Sequence, residues 1–153
     1  MRQFTLCIIL IVFYQFTSAQ FIEQVYIGES LEKTIELGKE RGHEYLETKG
    51  DIASFCVVSH LGTARLNVFA SPESKTVWFG TSNYITESKQ ENNDKFEKIK
   101  QMINEKYGDP YQIKRKEISW DNGHAFIILK KKKKHVQYSV VSTGAFHKTM
   151  NEF

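Results

Sequence analysis

Between Glu117 and Val141 the apolar positions recur at every second residue: Ile118 and Trp120, then Ala125, Ile127 and Leu129, then Val136, Tyr138 and Val140. A period of two places such residues on one side of an extended chain, so three strands sharing an apolar face are predicted. Asp121-Asn122-Gly123 separates the first two runs, and Asn-Gly favours a two-residue turn in which both central residues take φ > 0. A turn at Asn122-Gly123 pairs Asp121 with His124, Trp120 with Ala125 and Ile118 with Ile127. A four-residue loop from Lys131 to Lys134 then pairs Lys130 with His135, Leu129 with Val136 and Ile127 with Tyr138. A one-residue slip in either connection would scatter the apolar set over both faces.

The first half of the chain repeats this scheme. A turn at Leu61-Gly62 pairs His60 with Thr63, Val57 with Leu66 and Phe55 with Val68, and a loop at Ser71-Pro72-Glu73-Ser74 sets Val68 against Val77 and Leu66 against Phe79. Each meander follows a helical stretch ending at glycine. Leu31, Ile35 and Gly38 form one stripe before Gly42, with Ser30 as N-cap. Phe96, Ile99, Met102, Ile103 and Tyr107 form a clearer stripe of period 3.6 before Gly108-Asp109-Pro110. The chain thus reads as helix plus three strands, twice, in units of about 28–82 and 86–143. The short run Glu44 to Lys49 can add an edge strand to the first unit.

One apolar stripe per helix and one apolar face per meander give an α+β fold of two layers, with two helices on an antiparallel sheet of about six strands. That topology, tandem helix-plus-meander repeats over most of the chain, resembles the β-lactamase inhibitor protein fold. It is also similar to the small helix-plus-meander domains of envelope assembly lipoproteins. The resemblance is one of topology alone, and such scaffolds carry many functions.

The N-terminus adds a destination. Arg2 precedes an apolar run from Phe4 to Tyr14 and then Thr17-Ser18-Ala19-Gln20, the layout of a secretory signal peptide cleaved after Ala19. The run is shorter than the roughly 20 residues that a bilayer core requires. Residues 20–153 are then a single exported α+β domain, periplasmic or secreted. An Ala-Gln junction resembles those of exported proteins of Bacteroidota-type bacteria. Of the two cysteines, Cys7 leaves with the leader and Cys56 lies in the strand run Phe55-Cys56-Val57-Val58, so no internal disulfide is expected. Loss of Arg2 leaves 20 basic against 18 acidic groups, a balance that selects no class of partner.

Motifs of catalysis are not legible. The histidines, His43, His60, His124, His135 and His147, show no His-x-x-x-His spacing, and no Cys-x-x-Cys accompanies them, so no metal site is expected. Cys56 and His60 share a strand face but stand about 13 Å apart by strand rise. Asp121 beside His124 is an acid and base pair at a turn, and with His43 it supports the alternative of a small secreted hydrolase; no catalytic residue and no cofactor is assigned.

Two surface features remain. Lys130, Lys131, Lys132, Lys133 and Lys134, followed by His135, form a basic loop suited to weak, salt-sensitive contact with anionic surfaces rather than to a specific nucleic acid, since no aromatics are interleaved for stacking. Parity sends Arg65, Phe69, Trp78, Phe126 and Ile128, with Cys56, Val58, Asn67, Gln137, Ser139 and Val141, to the sheet face away from the helices. Aromatics on such a face mark a partner surface, unless the segments Ala145 to Phe153 or Phe21 to Ile27 cover it. The expected function is therefore a non-catalytic exported binding module, recognising a protein of the envelope or extracellular space through that face.

Overall fold

The computed structural model describes residues 26–143; the leader and its cleavage point lie outside them. Two α-helices and eight strands follow one another as α1 (Leu31–Glu40), β1 (Glu44–Lys49), β2 (Ile52–Ser59), β3 (Gly62–Ala70), β4 (Val77–Ile85), α2 (Lys89–Tyr107), β5 (Gln112–Lys114), β6 (Glu117–Asp121), β7 (Ala125–Lys131) and β8 (His135–Ser142). All eight strands form one antiparallel sheet in the order β1-β2-β3-β4-β8-β7-β6-β5. Each unit is thus a helix followed by four strands, and the units join at their last strands, β4 and β8. The expected six strands become eight because β1 and β5 extend the two edges. The three residues of β5 are all exposed, so no buried face marks them in the sequence.

Local chemistry sets both helices. Ser30 caps α1 by accepting the Lys33 N–H at 3.1 Å, and Gly42 beyond its end takes φ +79°. Ser88 caps α2 by accepting the Glu91 N–H at 3.0 Å, while the Glu91 carboxylate accepts the Glu87 N–H at 2.8 Å. This reciprocal capping ties the start of α2 to the end of β4.

Both helices lie on one sheet face. Phe96, Ile99 and Ile103 of α2 pack on Tyr84, Ile118, Trp120, Ile127, Leu129, Val136 and Tyr138. Leu31 of α1 packs in a second cluster with Phe55, Val57, Leu66, Val68 and Val77. Ile27 packs against both clusters; between Val77 and Tyr84, which belong to different clusters, β4 contributes the small residues Gly80 and Ser82 to the inner rows.

Three hairpins differ from expectation by a shift of two residues, and the shift has a common logic. Ile118 pairs with Leu129 rather than Ile127, Ile127 pairs with Val140 rather than Tyr138, and Val57 pairs with Ala64 rather than Leu66. A two-residue shift leaves every side chain on its predicted face, and the whole set Ile118, Trp120, Ala125, Ile127, Leu129, Val136, Tyr138 and Val140 is buried. A one-residue slip would instead expose them, at about 1.5–3 kcal/mol for each large apolar side chain. Pattern fixes the face; the turns choose between registers of equal parity.

The turns explain the choice. At β6–β7 only Gly123 takes positive φ, +84°, so Gly123-His124 rather than Asn122-Gly123 is the two-residue turn, in the arrangement with glycine at its first central position. The Asn122 carboxamide oxygen accepts the N–H groups of His124 at 3.0 Å and Ala125 at 2.7 Å. At β2–β3 the turn is His60-Leu61, since Ser59 pairs with Gly62 and Leu61 is drawn into the core. At β7–β8 the Lys132 N–H donates to the His135 carbonyl at 3.0 Å, which narrows the four-residue loop to Lys133-Lys134.

The β3–β4 connection departs further. Leu66 pairs with Ser82 and Phe69 with Phe79, whereas Ala70 pairs with Val77, leaving Trp78 as an extra residue. This bulge keeps Val77 in the core but turns Phe79, expected inside, to the outer face beside Phe69.

Candidate functional site

The registers arrange the outer face in rows. One row runs Ile52, Phe69, Phe79, Val141, Phe126; the next runs Ser54, Asn67, Thr81, Ser139, Ile128; a third runs Cys56, Arg65, Asn83, Gln137, Lys130; a fourth runs Val58, Thr63, Ile85, His135. The second row is knit by hydrogen bonds from Ser54 to Asn67 at 2.7 Å and from Ser139 to Thr81 at 3.1 Å, with Gln137 donating to Thr81 at 3.1 Å. The third carries ion pairs, Arg65 with Glu47 at 3.0 Å and Lys130 with Glu117 at 2.8 Å. A band of aromatic rings is thus confined to one end of the face rather than spread across it.

Within that band Phe69 and Phe79 lie 5.0 Å apart by ring centroid, Trp78 and Phe79 5.6 Å, and Tyr111 and Phe126 6.0 Å in an edge-to-face arrangement. Phe69, Trp78 and Ile128 are half-buried and Arg65 is exposed, all as parity placed them. Phe126 is only 4% exposed and, like Val141 in its own row and Ser54, Thr81 and Ser139 in the next, is buried, so it is a packing residue rather than a contact anchor. Of the two segments that could cover this face, Ala145 to Phe153 and residues 21–25 of the N-terminal one lie outside the described residues, while Ile27 belongs to the opposite, helical side. The most exposed apolar side chains of the face are Val58 at 78% and Ile85 at 75%, in the fourth row; parity places Val58 here, but its exposure depends on the tertiary fold.

The lysine run is divided by the fold. Lys130 belongs to β7 and is neutralised by Glu117. The Lys131 ammonium donates to the Asn93 carboxamide at 3.2 Å and lies 4.8 Å from the Phe96 ring centre. The backbone of the tip is tied down: the Asn92 carboxamide N–H donates to the Lys132 carbonyl at 3.1 Å and to Thr86 Oγ1 at 3.0 Å, and the Thr86 N–H donates to the Lys134 carbonyl at 3.0 Å. A cavity of about 570 Å³ results, walled by Lys131, Lys132 and Lys133 together with Lys89, Lys116, Asn92 and Asn93. No sequence motif marks Lys89, Lys116 or Asn93 for this wall. Asn92 offered a signal, since it precedes Phe96 by four residues and so interrupts the apolar stripe of α2 with a polar group.

The candidate acid and base groups do not converge. Asp121 accepts the Gly123 N–H at 2.8 Å and His124 is an exposed turn residue, so both serve the hairpin. His43 lies at the entry to β1, where burial first and Arg41 second push its imidazole below the usual histidine range. Cys56 is a half-buried thiol on the outer face, near a groove of about 580 Å³ that also takes in Leu46, Arg65 and Ile85. Tyr84 lies beneath, and burial pushes its phenol well above the ordinary value. Among the described residues no three His, Cys, Asp or Glu side chains gather as a metal set, and no helix is long and apolar enough to cross a membrane.

Compared with known families, with curated proteins and with solved structures, the chain gives no match.

Proposed function

We propose that the protein is an exported, non-catalytic binding module that offers the outer face of its sheet to a protein partner in the cell envelope or extracellular space. The observation that carries this reading is the aromatic band of Phe69, Trp78 and Phe79 on the face opposite both helices. A sheet covered on one side by helices can expose the other only if its side chains tolerate water, and half-buried aromatics there provide anchors of large area and few rotamers. The hydrogen-bonded row of Ser54, Asn67, Thr81 and Ser139 beside them holds the platform rigid.

The test is affinity capture from the protein's own envelope extract with wild type and with Trp78→Ser plus Phe69→Ser, after checking that both unfold cooperatively in denaturant. A partner held by wild type and lost from the folded variant supports the reading; equal capture by both overturns it. Export is checked separately, by N-terminal sequencing of the secreted chain, which should begin at Gln20.

A further inference from the structure

Five lysines line one concavity. Lys89 comes from the first turn of α2, Lys116 from the connection between β5 and β6, and Lys131, Lys132 and Lys133 from the β7–β8 hairpin. Among the described residues no carboxylate lines the cavity. Two acids adjacent in sequence to lining residues are engaged with other lysines, Glu117 with Lys130 at 2.8 Å and Glu91 with Lys95 at 3.1 Å. Lys131 is held by a neutral amide and an aromatic ring, contacts that fix its position without cancelling its charge.

The wall is rigid as well as basic. Asn92 and Thr86 clamp the carbonyls of Lys132 and Lys134, so the hairpin cannot swing away to relieve the repulsion among its side chains. Asn92 is only 3% exposed, so the two bonds that it donates, to Thr86 Oγ1 and to the Lys132 carbonyl, are shielded from water. The 19-residue helix α2 also begins here, placing its positive end beside the lysines.

We propose that this cavity binds a phosphate group, as a phosphomonoester or inorganic phosphate. A phosphomonoester carries about −1.5 to −2 charges near neutrality and presents several acceptor oxygens. It can thus be shared by lysines arriving from three chain segments, whereas a carboxylate brings one charge and two oxygens. The site is independent of the aromatic band, from which it differs in both location and ligand chemistry.

The isotopically labelled protein is titrated with inorganic phosphate and with glycerol 3-phosphate, following its amide resonances. In a parallel arm it is floated with phosphatidylcholine vesicles with and without phosphatidic acid. Saturable shifts centred on Lys89, Asn92, Asn93 and Lys132 identify a soluble phosphate ligand, and flotation that requires phosphatidic acid identifies a phosphorylated lipid; either outcome supports the site. Lys116→Gln with Lys133→Gln, both exposed positions, should weaken whichever binding is seen by about tenfold. Lys33→Gln with Lys49→Gln removes equal charge far from the cavity and should leave it unchanged. Absence of binding in both arms, or equal weakening by the two variant pairs, overturns the proposal.

Discussion

The side-chain amide of Asn92 donates to the backbone carbonyl of Lys132 at 3.1 Å, joining the first turns of α2 to a hairpin forty residues further along the chain. The same amide donates to Thr86 Oγ1 at 3.0 Å, so one buried side chain holds the β4–α2 junction and the lysine tip together. Asn92→Ala removes both bonds and strands a partly buried carbonyl, which should cost about 1–3 kcal/mol. Urea denaturation checks this, and broadened amide resonances at Lys132 to Lys134 would accompany the loss.

A second buried polar link joins α2 to the sheet. Trp120 is fully buried, and its indole N–H donates to Asn104 Oδ1 at 2.9 Å. Asn104→Ala should destabilise by about 1–3 kcal/mol because the indole N–H then lacks an acceptor inside the core. Equilibrium unfolding followed by Trp120 fluorescence in a Trp78→Phe background reads the effect directly.

Gly38 reverses the usual rule for helix glycines. Alanine would raise helix propensity by about 1 kcal/mol, but its Cβ would lie 2.8 Å from Phe55 Cε1, and Phe55 is itself buried at the centre of its cluster. Overpacking of this kind costs about 1–3 kcal/mol, so Gly38→Ala should lower stability. The same substitution in a Phe55→Leu background should be neutral or favourable, a difference measurable by a double-mutant cycle in urea.

His43 makes stability depend on pH. Its Nε2 is buried without a hydrogen-bond partner among the described residues, and burial together with Arg41 lowers its pKa in the folded state. The unfolded chain therefore binds the proton more readily. The contribution is complete above the ordinary histidine value of about 6.5 and declines as pH falls from there through the lower folded-state pKa. His43→Gln should flatten that part of the profile of unfolding free energy against pH; an unchanged slope would assign it to other groups.

Which side chains face inward was largely legible in the chain alone, because a period of two or 3.6 is a local property. Ile127, Leu129 and Tyr138, or Phe96, Ile99 and Ile103, needed no partner to declare their face, and the caps Ser30 and Gly108 were equally local. Registers were not determined, since pairings that differ by two residues bury the same side chains; positive φ at Gly123 and the burial of Leu61 selected among them. Beyond pattern altogether were β5, too short and exposed to carry a period, the bulge at Trp78 that turns Phe79 outward, and the burial of Phe126. The lysine cavity belongs to the same class. Its walls come from segments more than forty residues apart, and only the closure of α2 against the β7–β8 hairpin brings their charges into one space.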